Sequence, residues 1–112
     1  MVNQDPRIIK GKISIFLQTK IAEDATKKKQ LEDQNHRIPK GLNFEAQELA
    51  FNTDLRKATI SELLNCKSLI KLPTLFVILN SFNMSFSEFV CMYEEITDEN
   101  ALKQYEKVRS VR

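Results

Sequence analysis

Catalysis needs side chains that activate one another, and few residues among these 112 are spaced to do so. The only histidine, His36, stands in a polar stretch with neither a metal set nor a catalytic partner, so it is expected to be solvated. Cys66 and Cys91 lie 25 residues apart and form no Cys-x-x-Cys pair, which suggests neither a disulfide framework nor a zinc site. Both thiols read as reduced packing residues. Glu94-Glu95 reads as helix surface, and neither a nucleophile with a histidine base nor a glycine-rich phosphate loop is present. The residues therefore point away from an enzyme and imply no metal, no cofactor and no small-molecule substrate. What remains is non-covalent recognition, and the stretch from Ala46 to Asn65 is where side chains suited to it gather.

Two short helices that cross steeply need a small residue at the contact, a turn residue that accepts a left-handed backbone, and branched apolar residues that pin the second helix. Ala50 meets the first requirement, Asp54 the second with Leu55 plugging the turn, and Ile60 and Leu63 the third. Lys57, Ala58, Ser61 and Glu62 are then left to point outward.

The flanking elements follow from periodicity. Ile13, Phe16, Leu17, Ile21 and Ala25 form the stripe of a first amphipathic helix, which runs out in Lys27, Lys28 and Lys29, cations suited to a helix C-terminus. Gln30 to Lys40 is polar and ends in Ile38-Pro39, so it reads as an insertion or a phosphate-seeking basic loop. A second helix starts near Glu45 and a third near Arg56, with Cys66-Lys67-Ser68 as the exit loop. Pro73 fits the first turn of a fourth helix carrying Leu75, Phe76, Ile78, Leu79 and Phe82, the most apolar segment and the expected central helix of the core. Phe86 and Phe89 join its cluster. Ser85 and Glu88 fit a capping box that opens a fifth helix, and Asp98 is expected to cap a last one.

With only 2 glycines and 3 prolines, the chain favours an all-α class. The length suits one domain over residues 1–112, with a flexible start at 1–7, an insertion at 30–40, the two-helix unit at 45–65 and a C-terminal helix at 97–110. No stretch approaches the ~20 apolar residues of a membrane span, and Met1 to Arg7 lacks the apolar region of a secretory signal, so a cytoplasmic protein without membrane contact is expected. The formal charge of +2 divides unevenly: net +4 over residues 1–42, −1 over 43–89 and −1 over 90–112.

The order and spacing of these pieces resemble the helix-turn-helix domains of phage repressor and Cro type, the xenobiotic-response-element class of transcription regulators. The resemblance covers roughly residues 8–92 and is strongest from Leu42-Asn-Phe-Glu-Ala-Gln-Glu-Leu-Ala-Phe51 through Thr59-Ile-Ser to Asn65-Cys-Lys67. It extends to Leu75-Phe-Val-Ile-Leu79 and Met84-Ser-Phe-Ser-Glu-Phe89. Such a family implies a five-helix repressor-like DNA-binding domain, here with an additional C-terminal helix, whose third helix enters the major groove. The resemblance assigns base contacts to Lys57, Ala58, Thr59 and Glu62, and phosphate contacts to Gln47, Arg56, Asn65, Lys67 and Lys71. Ala46 stands where the family often has glutamine, and Asp54 and Cys66 where it usually has glycine.

The implied function is a sequence-specific regulator of transcription that binds double-stranded DNA as a homodimer. Tyr93, Leu102, Tyr105 and Val108 are the dimerisation candidates, with packing on their own domain as the competing use of that stripe. The competing function is a degenerate helix-turn-helix that serves as a protein–protein interaction module.

Overall fold

Asp5 and Pro6 open the first helix. The Asp5 carboxylate accepts from the Arg7 amide at 2.9 Å, and the proline, which has no N–H to satisfy, fills the first turn. The computed structural model describes residues 5–110 and continues from here as α1 (Pro6–Asp33), α2 (Ala46–Thr53), α3 (Lys57–Leu64), α4 (Leu72–Ser81), α5 (Phe86–Glu95) and α6 (Asp98–Ser110). There is no strand among the described residues, so the chain is all-helical.

The first four helices end in one device. Asn35, Asp54, Cys66 and Asn83 follow α1, α2, α3 and α4 with φ of 58°, 59°, 57° and 54°. At each, the next residue's amide reaches back to a carbonyl of the last turn: His36 to Leu31 at 2.8 Å, Leu55 to Ala50 at 3.2 Å, Lys67 to Glu62 at 2.8 Å and Met84 to Leu79 at 2.9 Å. This is the Schellman arrangement, which satisfies otherwise orphaned carbonyls and reverses the chain. Left-handed backbone favours glycine, with asparagine and aspartate the next most tolerant. Cys66 is the exception. Its side chain is wholly buried, with Sγ 3.5 Å from the Lys10 carbonyl oxygen, so packing against α1 offsets the conformational cost. That burial pushes its thiol pKa up and disfavours the reactive thiolate.

Three boundaries differ from those the sequence predicts. The start at 1–7 is helical from Pro6, while residues 1–4 lie outside the described residues. The insertion at 30–40 gives up Gln30 to Asp33 to α1, whose stop is Asn35 and not the loss of the apolar stripe. The residues past that stripe are good helix formers, and Lys28 and Glu32 pair across one turn at 4.0 Å. The last helix also starts differently: Thr97, not Asp98, is the cap. The Thr97 hydroxyl accepts from the Asn100 amide at 3.1 Å, and Asp98 instead meets the Lys12 ammonium at 3.2 Å.

The centre of the core is α1, not α4. Ile13, Phe16 and Leu17 are buried together with Leu49 and Ala50 of α2, Ile60 and Leu63 of α3, Leu75, Ile78 and Leu79 of α4, and Phe89 of α5. Phe16 meets Phe89 edge-on with ring centroids 4.9 Å apart. Helix α1 contacts α3, α5 and α6, whereas α4 rests on α2 and α5 and leaves Leu72, Phe76 and Val77 exposed. Phe86 is likewise about half exposed and packs on Phe76 at 5.6 Å, at the edge of the cluster the spacing predicts. The Ser85–Glu88 capping box forms as expected, with reciprocal bonds of 3.1 and 3.0 Å. No single helix among the described residues is long and apolar enough to cross a membrane.

Two contacts lock the periphery to α1. Gly11 lies so close to α6 that a Cβ there would fall 2.0 Å from the Ala101 carbonyl oxygen, and Ala101 itself is wholly buried. A glycine inside a helix costs about 1 kcal/mol in propensity, and here its missing side chain is what lets α6 dock. On the far side, Asn43 is a wholly buried polar hub. Its amide donates to Asp24 Oδ2 of α1 at 2.8 Å, its Nδ2 donates to Ser81 Oγ of α4 at 2.8 Å, and its Oδ1 accepts from Asn52 Nδ2 of α2 at 2.8 Å. One residue thereby ties the segment before α2 to three helices.

Gly11→Ala is expected to lower stability by about 1–3 kcal/mol in urea unfolding, because the backbone of α6 has to move away. A stability within about 0.5 kcal/mol of the parent chain would contradict the close approach. Asn43→Leu, of similar size, should cost about 2–4 kcal/mol by leaving Asn52 and Ser81 without their buried partner. A neutral result would mean that water replaces those bonds.

Candidate nucleic-acid interface

Helix α3 has two sharply different sides. Ile60 and Leu63 are 1% and 2% exposed, held in the core, while Lys57, Ala58, Ser61 and Glu62 are all exposed on the opposite side. Thr59 is half-buried between them. The crest is open to solvent, and hollows border it on both sides. On the α2 side Ala46 and Gln47 share a hollow of about 240 Å³ with Lys57, Ser61 and Asn65. On the α4 side Thr59 and Glu62 share one of similar size with Ser68, Leu69, Lys71 and Thr74. Nothing from the connection between α1 and α2 lines either hollow.

Of the residues assigned by resemblance, Lys57, Gln47 and Asn65 are thus brought together on one side of α3, and Thr59, Glu62 and Lys71 on the other. Ala58 is on the exposed crest, Arg56 immediately precedes the helix and Lys67 follows its exit, both exposed. Asn65 is engaged within its own helix end, donating from Nδ2 to the Ser61 carbonyl at 2.8 Å.

The helix starts divide into two groups. Those of α1 and α5 are closed by the side chains of Asp5 and Ser85, and that of α6 by Thr97. Helices α2, α3 and α4 are preceded by Glu45, Arg56 and Lys71, none of whose side chains caps its helix. No side chain occupies the first-turn amides there, although the Thr59 amide already donates to the Arg56 carbonyl at 3.0 Å and Pro73 has none to give; the positive end of the helix dipole favours an anion at such a start. The three side-chain-uncapped starts border hollows beside α3.

The support behind α3 is polar as well as apolar. Ser14, wholly buried on α1, donates to the Leu64 carbonyl at 2.6 Å and accepts from Gln104 Nε2 of α6 at 3.1 Å. The last turn of α3 is in this way fixed to α1, with α6 behind it. Ser14 does not stand out in the sequence, although its spacing three before Leu17 places a hydroxyl in an apolar stripe. Asn43 and Gly11 leave no comparable local signal, since the partners that define them are distant in sequence.

The dimerisation candidates are all half-buried by their own chain. Tyr93 packs on Phe89 at 5.6 Å and lies under the Lys12 ammonium, 5.0 Å from the ring centre, and its burial pushes the phenol pKa up. Leu102, Tyr105 and Val108 share α6 with buried Ala101, so the stripe first serves the contact with α1. Only the remainder is open to a second copy.

Comparison of the chain with protein families, with curated proteins and with solved structures gives no match.

Ser14→Ala should cost about 1–2 kcal/mol and speed amide exchange in the last turn of α3, since it withdraws the donor from the Leu64 carbonyl and the acceptor from Gln104. Unchanged exchange at residues 64–67 would show that the apolar contacts alone hold that turn.

Proposed function

We propose that this chain is a sequence-specific DNA-binding regulator of transcription, with α2 and α3 as a helix-turn-helix and α3 as the helix read into the major groove. The carrying observation is the exposed crest of Lys57, Ala58, Ser61 and Glu62 on a helix whose other side is buried in the core. An α-helix fits the major groove, and these side chains have the chemistry to read base edges. Lysine donates to guanine O6 and N7, glutamate accepts from cytosine N4, and the alanine methyl suits a thymine methyl. The start of α3, where the Lys57 and Ala58 amides have no side-chain cap and Arg56 adds charge, supports the same reading, with Lys67 and Lys71 beside it.

Pairing of two copies is the second half of the proposal. Two α3 helices about 34 Å apart would meet successive major grooves and read a palindrome. The exposed parts of Leu102, Tyr105 and Val108 remain its candidates.

A protein-interaction module is the competing reading, favoured by Phe51, which is 82% exposed on α2 at the rim of the hollow it shares with Gln47, Leu55 and Lys57. An aromatic side chain so placed suits an apolar partner better than a phosphate backbone.

Selection of bound sequences from a random duplex pool separates the two. The expected result is an enriched palindrome, with Lys57→Ala and Glu62→Ala each relaxing the preference at one position of each half-site by about 1–3 kcal/mol. An enriched site lacking symmetry would remove the dimer, and no enrichment by the folded chain would overturn the DNA-binding reading in favour of the module.

A further inference from the structure

The proposed reading helices carry little net charge. Residues 45–71, from the start of α2 through the loop after α3, hold four cations (Arg56, Lys57, Lys67, Lys71) and four carboxylates (Glu45, Glu48, Asp54, Glu62), which sum to zero. Phosphate neutralisation supplies most of the affinity in protein–DNA complexes, so a neutral reading unit needs cations from elsewhere. Residues 26–41 hold five (Lys27, Lys28, Lys29, Arg37, Lys40) against two carboxylates (Glu32, Asp33), a net +3 that exceeds the +2 of the whole chain. Lys27, Lys29, Arg37 and Lys40 are exposed.

Their placement links them to the reading unit. The last turns of α1 reach Asp33 because Asn35, and not the lysine run, ends the helix, so the cations at 27–29 lie on ordered helix. The Lys28 ammonium sits over the Phe44 ring, 4.3 Å from its centre, and Phe44 is two residues before α2. The hub at Asn43 fixes that same segment to α1 through Asp24. Thus the basic end of α1 is anchored beside the start of α2, where Ala46 and Gln47 line the hollow against α3. The connection itself, residues 34–45, adds the exposed Arg37 and Lys40 against Glu45, next to the three lysines on the end of α1.

We infer that the end of α1 and the connection after it form a second, sequence-independent contact with the DNA backbone. Lys27, Lys29, Arg37 and Lys40 reach phosphates flanking the bases read by α3 and supply the charge that α2 and α3 lack. The inference rests on the DNA-binding reading and assigns its affinity and its specificity to different parts of the chain.

The test replaces Lys27, Lys29, Arg37 and Lys40 together with glutamine and keeps Lys28, whose side chain packs on Phe44. A second variant, R37Q/K40Q, leaves α1 intact in case the first is unstable. Binding to a duplex of the enriched sequence and to a random-sequence duplex is measured by fluorescence anisotropy over a range of salt concentrations. The expected result is a salt slope shallower by about one for each phosphate that is no longer neutralised, with both duplexes weakened alike on the order of tenfold or more near 0.1 M salt. The preferred sequence should stay the same. A parent chain that binds neither duplex would overturn the underlying DNA-binding reading as well. Salt slopes equal to the parent's, in a parent that does bind, would overturn this inference alone. A change in sequence preference without a change in slope would also overturn it, since these residues would then be reading bases.

Discussion

Everything proposed for this chain depends on how α3 is divided between core and solvent. Ile60 and Leu63 are sealed into the cluster centred on Ile13, Phe16 and Leu17, and Ser14 closes the last turn through the Leu64 carbonyl. An eight-residue helix has little stability of its own, so tertiary contacts have to hold it. The outward side chains inherit their spacing from that inward grip. Helix α6 contributes at one remove: Gly11 admits it against α1, and Gln104 completes the Ser14 bond pair. The proposed groove-reading surface gains from such support behind it, because a loosely held site loses binding.

How much of this is legible in residue order differs by the range of the interaction. Periodicity within one helix places Ile13, Phe16 and Leu17 inside, and it separates Ile60 and Leu63 from Lys57, Ala58 and Glu62. The capping box at Ser85 and Glu88 is four residues long and equally legible. The end of α1 is harder to place because Asn35 is an ambiguous signal: asparagine stops a helix only when it adopts left-handed backbone. Thr97 and Asp98 compete as caps for α6 because both residue types are good ones; Thr97 takes the Asn100 amide while Asp98 turns to the Lys12 ammonium. Gly11 and Asn43 give no local sign of their roles. Their meaning lies in Ala101, Ser81 and Asn52, and no local rule connects residues so far apart.

The placing of α4 carries a similar lesson about composition. Its residues are the most apolar in the chain, yet Leu72, Phe76 and Val77 face solvent, whereas the more polar α1 runs through the centre. Mean apolarity says how much surface a segment would gain by burial, not how many neighbours the topology provides. Long α1 has neighbours on several sides, and Lys27 and Lys29 stand exposed in the turns beyond its apolar stripe. The same helix thus contributes core at one end and charge at the other. The chain's modest total of +2 hides this division.

The most direct test of the central claim is a map of which backbone amides respond when a ¹⁵N-labelled chain is titrated with duplex DNA. The account predicts that the largest shifts fall on residues 56–62 and at the starts of α2 and α4, with the buried turns of α1 around Phe16 unmoved. Shifts confined to the Phe76–Phe86 face, with residues 57–62 silent, would contradict it.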